Sequence, residues 1–212
     1  MFKRIFHDYL DNKIQLEKYQ KLGIFCLLIA LTGIFGWVYE FIFYYFDGGM
    51  KDFYLQGGNF LPWINIYAIG SILITLFTKK IKKHPIAVFL LSIIITGVLE
   101  YVAGWLIYEL GNGTRYWDYN VEILNFGNIG GFVCLRSVLF FGLSAMFLMY
   151  LLLPFCIFLS KIMNRKLFLI ISISLFALIL ADEIYNLIIA RILNLPDAME
   201  IYKSLGFKYV EH

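Results

Sequence analysis

Residues 85–110 read PIAVFLLSIIITGVLEYVAGWLIYEL, an apolar stretch whose only charged side chains are Glu100 and Glu109. As an α-helix rising 1.5 Å per residue it would be about 39 Å long, more than the ~30 Å hydrocarbon core of a bilayer. The chain as a whole is 61% hydrophobic and only 16% charged, whereas soluble domains carry about 25% charged residues. The stretch therefore predicts a transmembrane helix, and the composition predicts an integral membrane protein.

Five apolar segments of the chain are long enough to cross a bilayer. They cover residues 22–46, 61–78, 85–110, 130–163 and 167–193. Proline cannot continue a regular helix without disturbance, so Pro154 predicts a kink or an early end in the fourth segment. We expect an all-α fold, an integral membrane bundle of about five transmembrane helices.

Three regions follow from these segments. Residues 1–21 form a cytoplasmic arm, which is either a helix lying in the membrane interface or a short solvated lead-in. Residues 22–194 form a single transmembrane domain. Residues 195–212 form a short extracytoplasmic tail.

Lysine and arginine residues set the orientation, because they are retained on the cytoplasmic side of a membrane. They concentrate in the N-terminal arm and in the connections at 79–83 and 161–166, whereas the first connection holds only Lys51 and the third only Arg115. This pattern predicts a cytoplasmic N-terminus and an outside C-terminus. Lys203 and Lys208 in the tail are its weakest point.

The charge and cysteine patterns argue against several other classes. The formal net charge is only +3, and the lysines lie in loops between apolar runs, which argues against nucleic-acid binding. Cys26, Cys134 and Cys156 all lie in apolar runs without close spacing, which argues against a disulfide framework and a zinc site. We expect no bound metal and no cofactor.

Seven side chains, six charged and one an amide, interrupt the apolar segments between the predicted midplane and the outer surface. They are Glu40, Glu100, Glu109, Arg136, Asp182, Glu183 and Asn186. A charge at the centre of a membrane helix costs about 2.5–3.5 kcal/mol, so each needs a partner, a wet cavity or a neutral form. We expect Arg136, about two turns into its helix, to pair with one or more of Glu40, Glu100, Asp182 and Glu183. Because the acids outnumber it, either some are protonated or a cation or cationic ligand completes the balance.

Helical spacing places two of these acids beside glycines. The pattern G-x-x-E-x-x-x-G covers residues 97–104, and G-x-x-G-x-x-x-E covers residues 33–40. Small residues let a neighbouring helix approach while the carboxylate points into the bundle. Glu109 lies on roughly the opposite side of its helix from Glu100, at the outer lip and within reach of Arg115.

The loop GNGTRYWDYNVEILNFGNIGG, residues 111–131, adds further candidates for a polar site. They are Arg115, Trp117, Asp118 and Asn128. The aromatic residues are equally typical of a membrane-interface belt. The glycines and asparagines would let the backbone re-enter the bundle, which is tolerated only along a protein-walled cavity.

The run EYVAGWLIYELGNGTRYWDYN, followed by NIGGFVCLRSVLFFGL, resembles the signature of the putative ABC-transporter type IV (CmpB-like) family of bacterial permease-like membrane proteins. GWVYE (36–40) and NFLPWINIYAIGSILI (59–74) occupy the places of two further family segments, and the resemblance covers about residues 22–160. Asn65 and Ala68 depart from the proline and glycine usual there, and Phe140 and Phe141 from a segment that usually includes tryptophan. The resemblance implies a permease in the bacterial cytoplasmic membrane.

Three functions stay open. The favoured one is a transport subunit with an outward-facing polar site for an unidentified small molecule or ion; since the chain lacks a G-x-x-x-x-G-K-[ST] loop, ATP-driven transport would need a separate ATPase. The second is a structural or assembly protein whose charges form a buried network. The third is an intramembrane enzyme acting on a lipid-like substrate with an acid as general base; no catalytic motif is present, and we expect no enzyme.

Overall fold

The computed structural model describes residues 1–209. Its helices are α1 (Phe2–Leu10), α2 (Lys18–Asp47), α3 (Asn65–Thr78), α4 (Pro85–Leu110), α5 (Leu135–Ile162), α6 (Arg165–Leu193) and α7 (Ala198–Ser204). Two-residue strands, β1 (Tyr54–Leu55) and β2 (Lys208–Tyr209), pair in parallel. The all-α prediction is confirmed. Residues 210–212 of the predicted tail lie outside the described residues.

Four of the helices are long and apolar enough to cross a membrane. They are α2 with 30 residues, α4 with 26, α5 with 28 and α6 with 29. The chain is therefore a multi-pass membrane protein. The predicted segment at 61–78 becomes the shorter helix α3, whose 14 residues extend only about 21 Å at 1.5 Å per residue.

Local sequence signals explain where several of these helices begin. The Gln20 side chain accepts a hydrogen bond from the main-chain N–H of Glu17 at the start of α2, at 3.0 Å. Pro85 occupies the first position of α4, where its missing N–H has no helical partner to lose. Before α6, the Asn164 side chain accepts a hydrogen bond from the N–H of Lys166 at 2.9 Å.

The start of α5 differs from the prediction. The expected start at Gly130 is wrong by five residues, because Gly130 and Gly131 have φ angles of +64° and +80° and an antiparallel bridge joins Ile129 to Val133. Residues in this left-handed region form turns, not α-helix. As a result, Arg136 lies in the first turn of α5 instead of about two turns inside it.

Two long helices contain a π-helical turn. The turn in α5 covers Leu148–Leu152 and precedes Pro154. Proline lacks an N–H and its ring crowds the carbonyl four residues earlier, here that of Tyr150, so a wider turn at this point relieves the conflict. The predicted disturbance at Pro154 thus takes the form of a π turn, and the helix continues to Ile162. The second π turn, Tyr185–Ile189 in α6, was not predicted.

The chain divides into two compact units. The first unit comprises residues 1–14 and 70–154. Its main contact is between α4 and α5, where a Cβ at Gly97 would lie 3.1 Å from Val138 and one at Gly142 would lie 2.7 Å from Phe89. Small residues therefore bring these two helices close together.

The arm helix α1 also belongs to the first unit. Ile5 and Tyr9 are buried, and the ammonium group of Lys82 lies 3.8 Å from the centroid of the Tyr9 ring. Asp11 forms an ion pair with Lys83 at 2.9 Å. The arm is thus a helix attached to the connection between α3 and α4.

The second unit comprises residues 15–69 and 155–209 of the described chain. In it, α2 packs along α6. A Cβ at Gly23 would lie 2.3 Å from the ring of Phe168, so the glycine provides the space that this buried ring fills. The Gln20 side chain donates a hydrogen bond to the main-chain oxygen of Ser160 at 2.9 Å, which joins the start of α2 to the last turns of α5.

Candidate functional site

Glu100 is the most deeply buried acid of α4, with 3% of its surface exposed. Its carboxylate accepts hydrogen bonds from the Tyr119 hydroxyl and from the Ser137 hydroxyl, the latter at 2.7 Å. Burial is the main cause, and the negative charge of nearby Glu100 the second, of a pKa of Tyr119 well above its usual value. This hydroxyl therefore keeps its proton and donates it in the hydrogen bond. A helix, a loop and the first turn of the next helix therefore converge on one carboxylate.

The glycine spacing around Glu100 acts as the sequence predicted. Gly97 faces α5, and a Cβ at Gly104 would lie 3.0 Å from the Trp117 ring and 3.1 Å from that of Phe132. The Trp117 indole N–H donates a hydrogen bond to the main-chain oxygen of Phe132 at 2.9 Å. The face carrying Glu100 is thus covered by α5 and by the loop at residues 111–134, which folds back over the end of α4.

Arg136 pairs with Glu122, an acid of the same loop, at 2.6 Å. Both side chains are largely buried, and the guanidinium lies 5.2 Å from the centroid of the Tyr119 ring. The sequence analysis expected a partner inside the helices and did not select Glu122, since a loop acid is ordinarily solvated. The fold brings it inward because the loop turns back toward the start of α5.

Arg115 fixes the beginning of the loop. Its guanidinium donates a hydrogen bond to the main-chain oxygen of Gly130 at 3.0 Å and lies 3.7 Å from the carboxylate of Asp118. It also stacks over the rings of Tyr108 and Phe132, at 4.8 and 4.6 Å from their centroids. These contacts join the loop to itself and to the last turns of α4.

Asp118 and Asn128 complete the internal bonding of the loop. Asp118 accepts hydrogen bonds from the main chain and the side chain of Asn120, at 2.9 and 2.7 Å. Asn128 donates to the Asn120 side chain and accepts from the N–H of Gly131, both at 2.8 Å. The side chains of these two predicted site residues therefore form their hydrogen bonds within the loop itself.

Glu109 differs from the other acid of α4. Its side chain is exposed, and among residues 1–209 it forms no ion pair or hydrogen bond, so Arg115 pairs with Asp118 and not with Glu109. Glu109 lies in the last turn of α4, next to the loop, and its position at the outer lip of the membrane stays a prediction.

The second unit contains the remaining predicted residues, of which Asp182 is the most strongly bonded. Its two carboxylate oxygens accept hydrogen bonds from the main-chain N–H groups of Phe60 and Leu61, at 3.0 and 2.6 Å. Asn186 donates to the same carboxylate at 2.7 Å. Asp182 therefore holds the turn that precedes α3, which explains why this helix begins late in its apolar segment.

Glu183 and Asn186 hold neighbouring segments in the same way. Glu183 accepts a hydrogen bond from the Asn59 side chain at 3.2 Å. The Asn186 side-chain oxygen accepts from the N–H of Ala198, the first residue of α7, at 2.8 Å, and its amide donates to the main-chain oxygen of Asp182 at 2.9 Å. The π turn contains Asn186 and lies directly after both acids, which places all three polar residues at one irregular part of α6.

Glu40 is half-buried on α2 in the second unit. The glycines of its stripe receive aromatic side chains instead of a close helix backbone: a Cβ at Gly33 would lie 2.0 Å from Trp63 and one at Gly36 would lie 2.2 Å from Tyr67. The Trp63 indole also donates a hydrogen bond to the main-chain oxygen of Ile29 at 3.1 Å. The predicted small-residue face is thus used to seat two rings.

The predicted site residues therefore separate by unit. The first unit holds Glu100, Glu109, Arg115, Trp117, Asp118, Asn128 and Arg136, and the second holds Glu40, Asp182, Glu183 and Asn186. Sequence reasoning missed Tyr119, Glu122 and Ser137 as site residues. Within residues 1–209, no group of three or more His, Cys, Asp or Glu side chains is placed to hold a metal ion.

Comparison with known proteins gives one match. A family model described as "Putative ABC-transporter type IV" matches residues 27–187, which include every predicted site residue. No curated protein and no solved structure matches the chain.

Proposed function

The chain belongs to the Putative ABC-transporter type IV family, and from this premise we propose that it is a transporter membrane subunit with an outward-facing polar binding site centred on Glu100. The supporting observation is the buried carboxylate with its two hydroxyl donors, Tyr119 and Ser137, beneath a folded loop. A buried acid is costly in a membrane and marks a ligand or ion pathway more often than an acid at the surface does. We assign no catalytic residue.

The proposed ligand is a small cation or a cationic small molecule. Glu100 offers carboxylate oxygens, and the hydroxyl oxygens of Tyr119 and Ser137 are further acceptors that can face a cation. The guanidinium of Arg136 is already paired with Glu122 at 2.6 Å. Its positive charge is therefore partly neutralised and repels a ligand cation less. An incoming positive charge would take the place of the proton or hydrogen bonds that now satisfy Glu100.

The experiment is a comparison of two glutamate variants on the same helix. The purified protein is heated with a panel of inorganic and organic cations, and the change in melting temperature is recorded. Wild type and Glu109→Gln should show the same ligand-induced increase, whereas Glu100→Gln should fold and lose it. The proposal fails if no cation changes the melting temperature of wild type, or if Glu100→Gln responds as wild type does.

For the orientation, we propose five crossings with the N-terminus in the cytoplasm and the C-terminus outside. If α3 did not cross, the lysines at 79–83 and the three cations at 161–166 would both lie outside, against the retention of such residues in the cytoplasm. Helix α3 is about 21 Å long by its residue count, and the turn at residues 59–64 that Asp182 holds would complete the crossing.

The proposed location is the cytoplasmic membrane of a bacterium, and the proposed partner is a separate ATPase bound at the cytoplasmic connections. This part of the proposal follows from the family and from the absence of a nucleotide-binding loop in the sequence. Native mass spectrometry after gentle extraction from the original membrane tests it. A complex without any ATPase would contradict the ATP-driven version and leave the binding site to be tested by the cation experiment.

A structural role is the second candidate, and the observation favouring it is the use of Asp182 to bind the N–H groups of Phe60 and Leu61. Polar groups between membrane helices often serve packing alone. If this role applied to the whole protein, Glu100→Gln and Arg136→Gln would destabilise it, and no small molecule would raise its melting temperature.

A further inference from the structure

Residues 121–129, VEILNFGNI, have their polarity reversed relative to a water-exposed loop. Val121 and Leu124 are 72% and 61% exposed, and three more apolar side chains of the segment are also exposed: Ile123, Phe126 and Ile129. The single charged residue, Glu122, is only 5% exposed. A loop facing water would show the opposite arrangement, because burying a charge and exposing apolar area both cost free energy.

The inward side of this segment is fully occupied by polar contacts of the first unit. Glu122 binds Arg136 at 2.6 Å, and Asn128 binds Asn120 and Gly131 at 2.8 Å. The outward direction of the apolar side chains therefore does not result from a lack of contacts between this segment and the rest of the first unit. Its polar side chains are directed inward by specific partners, and its apolar side chains are left pointing away from the protein.

The segment also lies in the connection between two candidate membrane-spanning helices. It belongs to the connection between α4 and α5, two of the helices long enough to cross the bilayer. Exposed apolar residues also lie at both ends of this connection, Leu110 at the end of α4 and Leu135 at the start of α5. The exposed apolar side chains of the segment therefore belong to a connection whose two ends are also apolar and exposed.

The backbone holds one of these side chains outward at a cost. Leu124 has a φ angle of +54°, in the left-handed region that residues other than glycine rarely adopt. Such strain persists only where the surroundings fix it. The N–H of Leu135 donates to the main-chain oxygen of Phe126 at 3.0 Å, and this bond ties the segment to the first residue of α5.

From these observations we infer that residues 121–129 insert their apolar side chains into the bilayer interface next to the ends of α4 and α5 that the loop joins. The occupant of this surface is lipid, at the boundary between headgroups and acyl chains. Irregular backbone is tolerated there because water remains available to its free polar groups, which is not the case deeper in the hydrocarbon. Apolar side chains on an interfacial segment enter this boundary by about 5–10 Å. The inference depends on α4 and α5 crossing the membrane and not on the proposed transport function.

The test measures access of two collision reagents to a spin label in the full-length protein, reconstituted into phosphatidylcholine vesicles. Ile123→Cys, Phe126→Cys and Ile129→Cys each receive a nitroxide, and Thr114→Cys, an exposed residue earlier in the same loop, is the control. The three native cysteines are free but buried, so unmutated protein gives the labelling background. Oxygen concentrates in lipid, and a charge-neutral nickel chelate remains in water.

The expected result is an oxygen-to-nickel accessibility ratio several-fold higher at positions 123, 126 and 129 than at position 114. A ratio at these three positions equal to that at position 114 would show a water-exposed loop and overturn the inference. Loss of access to both reagents would also overturn it, by showing that a second copy of the chain or another protein covers the segment. Because all four substitutions are at exposed positions, an unchanged melting temperature is the check that each variant is folded.

Discussion

Gly131 has a φ angle of +80°, and a Cβ at this position would lie 2.4 Å from atoms of Arg115, Asn120 and Asp118. The loop over Glu100 therefore depends on the absence of a side chain at one point. Gly113, in the same loop, also has a positive φ of +84°, but a Cβ there would meet only Tyr108, at 3.8 Å. The two glycines share a backbone requirement and differ in packing.

We predict that Gly113→Ala lowers the free energy of unfolding by about 1–2 kcal/mol, the cost of the left-handed conformation. Gly131→Ala should lose roughly a further 1–3 kcal/mol, because the new methyl group must displace three bonded polar groups. Chemical or thermal unfolding in detergent, followed by circular dichroism, measures both. Equal losses in the two variants would show that the loop accommodates the methyl group.

Tyr119 provides a second test at the level of single residues. Tyr119→Phe removes one of the two hydroxyl donors to Glu100 while leaving the ring beside Arg136. A hydrogen bond to a charged group contributes about 1.5–3 kcal/mol, so we expect a loss of that size in the free energy of unfolding if Glu100 is ionised. Tyr116→Phe is the matched control, since that side chain is exposed; a loss within about 0.5 kcal/mol is expected there. Similar losses in both variants would contradict a stabilising hydrogen bond from Tyr119 to Glu100.

At the scale of elements, the pair of Glu122 and Arg136 joins the loop to the first turn of α5. We predict that Glu122→Leu alone and Arg136→Leu alone each cost about 3–5 kcal/mol, because each leaves a buried charge without its partner. The double variant should lose much less than the sum of the two. A double-mutant cycle in unfolding free energy measures the difference, and additive losses would show that the two side chains act independently.

Asp11 is the residue of the N-terminal arm that forms an ion pair with the connection between α3 and α4. Hydrogen bonds from Lys83 and then from Lys13 lower the pKa of the Asp11 carboxyl to about 2. The carboxylate therefore contributes its stabilisation fully above its ordinary pKa, near 3.8, and the contribution disappears as the pH falls through about 2. Between neutral pH and pH 5, the attachment should not change.

We predict that Asp11→Asn speeds amide hydrogen exchange in α1 at neutral pH, most clearly at low salt, because the pairs are exposed and screened by ions. Asp8→Asn is the control, since Asp8 pairs at 3.9 Å with Arg4 on the same helix and does not reach Lys83. Exchange measured by mass spectrometry should be faster in the first variant than in the second. Equal exchange in the two would show that α1 is held by Ile5 and Tyr9 alone.

At the scale of the whole molecule, the number of crossings determines which loops face outward. We predict that Lys80→Cys reacts with a membrane-impermeant maleimide only from the cytoplasmic side, and that Thr114→Cys and Leu205→Cys react only from outside. All three positions are exposed, and intact cells and inverted vesicles give the two sides. Reaction of Leu205→Cys from the cytoplasmic side would contradict five crossings.

The sequence predicted the regular parts of the fold because length and apolar content alone identify a helix that can cross a membrane. The spacing of Gly97, Glu100 and Gly104 similarly predicted the inward face of α4, since helical periodicity is a local property. It could not predict the bond between Tyr119 and Glu100 or the pairing of Glu122 with Arg136. Those contacts depend on how an irregular loop folds back, and no periodic pattern encodes that.

The late starts of two helices were hidden for a related reason. The predicted second segment is apolar from Leu61 onward, but Asp182, more than a hundred residues later, binds the N–H groups of Phe60 and Leu61 and holds them in a turn. At α5, the positive φ angles of Gly130 and Gly131 decide the boundary. Composition cannot distinguish a glycine that continues an apolar run from one that ends it.

The π turn at Tyr185–Ile189 gives α6 a tolerance that a plain α-helix lacks. A π turn closes its hydrogen bonds from residue i to i+5, so it contains one residue more than the α-helical turn it replaces. Deleting one residue there would restore a continuous α-helix and keep Ala190–Leu193 on nearly the same faces relative to Arg165–Ile184, whereas the same deletion within a plain α-helix would rotate everything beyond it by about 100°. The turn is therefore the point at which α6 can lose one residue and keep both its ladder of hydrogen bonds and the direction of its side chains.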